Sequence, residues 1–182
     1  MNPTGELEAL LGLFPDGEPL VNHAAHVPAG GLPPAYKMLL AHDQHMTVTM
    51  EAFHGSPVTV DVEAEKYDDA GRYCRRITLA CEQTARVVQF GVVRFDFSYV
   101  TDAVREEIVG GRTPLGRVLI RHNVLRHIDL GAILSIECGP GLASRFGCGV
   151  GTGTHGRLAT IFCDGKPAVD LLEIAAPVPT NA

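Results

Sequence analysis

The stretch Tyr73-Cys74-Arg75-Arg76-Ile77-Thr78-Leu79-Ala80-Cys81 decides the fold. It reads as a strand, in which successive side chains point to opposite faces. Arg75 then shares a face with Ile77 and Leu79, and Arg76 with Thr78 and Ala80. Working outward, residues 85–97 read as the next strand. Upstream, residues 46–53 alternate Val48 and Met50 with Thr47, Thr49 and Glu51, turn at Gly55-Ser56-Pro57 and resume over 58–62, which predicts a hairpin. Downstream, residues 132–138, 157–163 and 168–175 read as strands, the last two joined by Asp164-Gly165-Lys166-Pro167.

Helical patterns fall between these runs. One covers residues 35–42 behind Pro34. Another covers 100–109, with Thr101 as N-cap and Gly110-Gly111 as terminator. A third covers 115–120 behind Pro114. The order is strands, short helices, strands, without regular alternation. This predicts an α+β domain with a single mainly antiparallel sheet and short helices packed against it. Residues 1–34, punctuated by Pro15, Gly17, Pro19, Pro28, Gly30, Gly31, Pro33 and Pro34, read as an irregular arm with one helix at 6–13. Residues 35–182 form the expected domain.

A chain of 182 residues, 46% hydrophobic and 20% charged, suits one core. The net charge of -6 and the absence of Trp argue against a nucleic-acid partner. A local arginine can still hold a small anion. The cysteines Cys74, Cys81, Cys138, Cys148 and Cys163 are odd in number and never spaced C-x-x-C, which favours free thiols in a reducing compartment. The start has no basic and apolar leader pattern, and no apolar run is long enough to span a bilayer. A cytoplasmic protein, monomer or small homo-oligomer, with no membrane partner is expected.

Gly151-x-Gly153-x-x-Gly156 matches the dinucleotide fingerprint by letter, but a strand pattern follows it where a helix is needed. A mobile loop or lid over residues 139–156 is the reading adopted. His42 and His45, beside Asp43 and not far from His54, lack further ligands at supporting spacing, so no metal is expected. Ser135 and Ser144 have no nucleophile elbow, and no cysteine sits in a catalytic signature.

Glu173 and Arg75 are the informative residues. In Val169-Asp-Leu-Leu-Glu-Ile-Ala175, alternation places Glu173 with Val169 and Leu171, and Asp170 opposite. If that face is the core, the carboxylate is desolvated and must be paired or functional; if the strand is an edge wet on both faces, or the even face with Ala168, Leu172 and Ile174 turns inward, it need be neither. Arg75, in line with Ile77 and Leu79, needs an anionic partner. A substrate carboxylate, Glu173 and Asp61 all satisfy that requirement.

At these residues the sequence resembles the chorismate lyase family. The likeness is carried by Leu39-Leu-Ala-His-Asp-Gln-His-Met-Thr47, by Arg112-Thr-Pro-Leu-Gly-Arg117 with Leu119, and by Gly165-Lys-Pro167 followed by Leu171-Leu-Glu-Ile174 and Pro177. Arg75-Arg-Ile-Thr-Leu79 with Val92-Val93 lies between them, in the same order, over residues 35–177. The resemblance implies a cofactor-independent lyase that removes pyruvate from chorismate to leave 4-hydroxybenzoate. It further implies that Arg75 rather than Arg76 binds the ring carboxylate, that backbone groups around Met46 and Leu115 complete that site, and that Glu173 faces the ring hydroxyl as hydrogen-bond partner or general base. The sequence departs from the family pattern over residues 1–34 and 139–156. Two alternatives follow: a non-catalytic module binding a small aromatic carboxylate, and a lyase or isomerase acting on a related carboxylated ring.

Overall fold

The computed structural model describes residues 2–15 and 17–178. Seven strands, β1 (Val21–Val27), β2 (Val58–Tyr67), β3 (Tyr73–Cys81), β4 (Val87–Phe95), β5 (Arg126–Cys138), β6 (Gly153–Cys163) and β7 (Lys166–Ala175), form one sheet in the order β1-β5-β6-β7-β4-β3-β2. Every neighbouring pair is antiparallel. The predicted α+β architecture on a single antiparallel sheet is therefore what the chain adopts.

Helices cover both faces. α1 (Pro3–Leu11) and α6 (Pro140–Phe146) contribute Leu7, Leu10 and Leu142 to a core that includes Phe90, Val92, Leu158, Leu172 and Ile174. The other face holds two separate apolar clusters. One gathers Val104 and Ile108 of α4 (Asp102–Val109) and Leu115, Val118 and Leu119 of α5 (Leu115–Arg121) over Val93, Ile161 and Leu171. The second gathers Tyr36, Leu39 and Leu40 of α2 (Pro34–Leu40) and Met46 and Met50 of α3 (Met46–His54) over Ile77 and Leu79. Alternation along the strands sends odd-numbered residues of β3, β4 and β7 to this second face.

Three expectations differ from the structure. Residues 46–53 are helix α3, not a strand. The alternation of Thr and Val is real, but Met46 and Met50, one helical turn apart, bury together with Thr47, while Val48 stays 42% exposed. Gly55, at φ 62, ends the helix in the left-handed conformation that glycine adopts most readily. Residues 21–27, read as part of an irregular arm, form edge strand β1 on β5. Its exposed polar residues and the register shift between Val21 and His23 remove the period-two signal. Residues 139–156 form no lid: they hold α6, and Gly153 and Gly156 lie inside β6. Helix α4 behaves as read, with the Thr101 hydroxyl accepting from the Val104 amide.

Candidate functional site

Between the two apolar clusters lies a polar row on the floor of the sheet. Arg157 of β6 is the cross-strand partner of Glu173 of β7, Glu173 of Gly91 of β4, and Gly91 of Ile77 of β3. One row along, Arg75 of β3 partners Val93, and Val93 partners Leu171. Gly91 keeps this floor open, because a Cβ there would meet the Ile77 side chain at 3.3 Å. His45, Met46 and Thr47 at the start of α3, and Pro114, Leu115 and Gly116 at the start of α5, form the opposite wall. The enclosed free space is about 40 Å³, room for about three waters.

The buried charges divide into two kinds. Arg157 is fully buried and its Nε donates to Glu173 Oε2 at 2.7 Å. Its other nitrogens donate to the carbonyls of His42 at 3.0 Å and Gln44 at 3.1 Å. A buried ion pair with its remaining donors satisfied is the arrangement that survives desolvation. Arg75 is as buried, at 1% exposure, but differently served. Its Nη1 donates to the Ile108 carbonyl at 3.2 Å, its Nε has no hydrogen-bond partner, and it makes no ion pair among the described residues. Burial lowers its pKa from the ordinary arginine value; the neighbouring Tyr73 hydroxyl and the Glu65 carboxylate oppose that shift. Glu65 is itself exposed, and accepts from the Tyr73 hydroxyl at 2.6 Å.

His45 closes one side. Arg126 Nε donates to its Nε2 at 2.6 Å, which requires a neutral ring. Burial, then Arg126 and Arg157, push its pKa down to about 4. The far side of His45 faces an outer groove lined by Asp43, Gln44, Leu125 and Arg126.

Arg75, Met46, Leu115 and Glu173, which the resemblance assigned to one site, all line this cavity. Arg76 does not. It sits on the opposite face, with its Nε 3.0 Å from Glu63 Oε2 and its guanidinium over the Phe14 ring. Of the partners considered for Arg75, Asp61 is exposed and Glu173 is held by Arg157. The three histidines considered for a metal each face an arginine instead: His42 faces Arg157, His45 faces Arg126 and His54 faces Arg86. Two lining residues escaped the sequence reading. Arg157 stands in line with Ala159 and Ile161, and Gln89 in line with Gly91, Val93 and Phe95; the alternation argument applied to Arg75 finds both.

No protein-family model and no curated protein matches the sequence. Among solved structures, the ligand-binding domain of a protein assigned to the GntR family of transcriptional regulators, from Bordetella bronchiseptica, superposes with a TM-score of 0.52. The match has 11% identity and covers 65% of this chain and 85% of that one. The effector domain of PhnF from Mycobacterium smegmatis gives 0.52 at 11% identity, over 73% and 88% of the two chains. Full-length PhnF gives 0.50 at 10% identity, over 72% and 63%. These likenesses show a shared fold, and they correct the reading of the chain as a chorismate lyase. These three structures are named as a regulator's ligand-binding domain, as the effector domain of PhnF and as PhnF, and none is named as an enzyme releasing pyruvate and 4-hydroxybenzoate. The motif likeness lies largely in residues that build the fold. Thr113-Pro114-Leu115 opens α5, Arg75-Arg-Ile-Thr-Leu79 is the body of β3, and Gly165-Lys-Pro167 closes the β6–β7 hairpin. No described helix is long and apolar enough to cross a membrane.

Proposed function

We propose that the chain is a small-molecule-binding domain whose internal cavity holds a small organic anion on Arg75. The observation that carries this reading is a buried guanidinium with no ion pair among the described residues, its Nε unpartnered, in a cavity whose walls include Met46, Leu115, Ile128, Ile161 and Leu171 beside the Arg157–Glu173 pair. A buried charge left unpaired costs several kcal/mol, and a bound carboxylate offsets that cost through the planar fork of the guanidinium. Met46 and Leu115 supply apolar walls, and the flexible Met46 side chain can yield to a ligand larger than the free space. Glu173 and Arg157 act as a structural pair that fixes residues 42–44 beside the site. That solved proteins of this fold are named ligand-binding and effector domains supports a sensing role. The five unpaired cysteines fit work in the cytoplasm.

The test is calorimetry and thermal denaturation of the purified chain against straight-chain and aromatic monocarboxylates. Binding that raises the melting temperature, and that is lost in Arg75→Met, is expected. If no acid binds, or if Arg75→Met binds as well as the parent, the reading fails.

A further inference from the structure

A second buried group in the same cavity lacks a partner. Gln89 of β4 is 3% exposed, and its Oε1 makes no hydrogen bond among the described residues. It shares the inward face with Gly91 and Val93, and all three line the cavity. Native interiors leave few such groups unsatisfied, because each forfeits its hydration without return. A primary amide is at once donor and acceptor. It is therefore matched by a neutral hydroxyl or carboxamide, which can donate to Oε1 and accept from the amide nitrogen. A charged group matches only one side of it.

Position and charge narrow the ligand further. Gln89 is registered with Leu79 of β3 and Val93 with Arg75, so the two unsatisfied side chains stand four residues apart along paired strands, about 13 Å between backbones. Two inward-reaching side chains and one short molecule can fill that span. Of the acidic and basic side chains lining the cavity, Glu173 is engaged by Arg157, so Arg75 has no carboxylate left to it in the lining, and Glu65 acts on it only from outside. One negative charge balances Arg75; a dianion introduces a second charge with no partner.

Resting on the reading of the cavity as an anion site, the geometry points to a bifunctional ligand. It is a short monocarboxylate, held by Arg75 at one end, with a neutral hydroxyl or carboxamide on Gln89 at the other. This assigns Gln89 as the specificity-determining residue. A site built to hydrogen-bond a hydroxyl or amide discriminates strongly against the analogue lacking it, because the protein group is left unpaired.

The experiment compares matched acids by calorimetry on the full chain. Pentanoate is set against 5-hydroxypentanoate and glutaramate, and benzoate against 4-(hydroxymethyl)benzoate and 4-carbamoylbenzoate; glutarate and terephthalate serve as dianions. The hydroxyl or carboxamide member of at least one series should bind at least tenfold more tightly than both its unsubstituted parent and its dianion. In Gln89→Met, that preference over the parent should collapse to within about twofold. Without ligand, Gln89→Met should melt no lower than the parent protein, since it removes an unsatisfied group. Equal binding of parent and substituted acids overturns this inference and leaves the anion site standing, as does tighter binding of the dianions. Binding of none of these acids overturns both.

Discussion

Replacing Arg75 by methionine should stabilise the empty domain. Most substitutions of a fully buried, hydrogen-bonded side chain lower stability, so the sign discriminates between readings. The guanidinium is 1% exposed, donates to the Ile108 carbonyl and neighbours the Tyr73 hydroxyl, with Nε unpartnered and no ion pair among the described residues. Desolvating a charge costs several kcal/mol even after relaxation. Losing the bond to Ile108 returns about 1 kcal/mol of that. Methionine fills a comparable volume next to Val93, Leu115 and Leu171 without a charge. The net gain should be about 1–3 kcal/mol, and each kcal/mol moves the midpoint of a domain of this size by about 2–4 °C. The assay is denaturation by urea and by heat at neutral pH without added acid, Arg75→Met beside the parent and beside Arg157→Met. Arg157→Met leaves Glu173 buried without its cation and should lose about 3–5 kcal/mol. If Arg75→Met also loses several kcal/mol, Arg75 is a structural residue with a satisfied environment, and the anion site has no foundation.

Three further outcomes follow from the same geometry. In Arg157→Met with Glu173→Leu, most of the single-substitution loss should return, since the pair is removed together; a urea titration reads it, and an additive loss contradicts the pairing. His45 has a folded pKa of about 4 against an ordinary 6.5. The unfolded chain therefore binds the extra proton first. The stability His45 contributes is present above pH 6.5, falls as pH drops toward 4, and amounts at most to about 3 kcal/mol. The stability of His45→Gln should change less than the parent's between pH 7 and pH 4.5, and parallel curves count against the buried neutral ring. Gly139→Ala should cost about 2–3 kcal/mol, because a Cβ there would lie 2.4 Å from the Pro19 carbonyl oxygen where the Gly139 amide donates to Leu20. A loss below about 0.5 kcal/mol would mean that residues 19–20 are loosely held.

How much of this was legible depends on which force set each element. Strand β3 and helix α4 follow their local pattern: β3 buries a continuous alternating face, and α4 begins at Thr101, whose hydroxyl caps it. Residues 46–54 went the other way. Thr47, Val48 and Thr49 favour a strand locally, but burial of Met46 and Met50 against β3 and α2 decided the outcome, and tertiary packing routinely outweighs so weak a preference. Strand β1 carried no readable signal because its side chains are half exposed and its pairing is bulged; its partner β5 specifies it. Helix α6 was hidden by glycine and proline, which here serve as first-turn proline and left-handed C-cap Gly147. The cavity-facing sides of Arg75 and Glu173 were legible from alternation. What each one touches was not: Glu173 is held by Arg157 of the neighbouring strand β6, and Arg75 donates to the Ile108 carbonyl at the far end of α4.

The lyase expectation treated Arg75 and Glu173 as one machine because both are charged residues on an apolar face. Physically they are opposites. Glu173 has its partner within the chain, and so does Arg157; removing the ligand changes nothing in their accounting of hydrogen bonds. Arg75 and Gln89 are incomplete in the folded chain itself. A polar group that the fold buries but does not satisfy lowers stability, and a partner from outside the chain is one way to complete it. Arg75 and Gln89 lie on adjacent strands, on one face, around one cavity, and they bound it from different ends, whereas another such group, His155 Nδ1, lies outside it. Two unrelated packing defects have no reason to converge in that way. A site for one molecule does, which is what the proposed reading assigns to Arg75 and Gln89, while Glu173 is already engaged by Arg157.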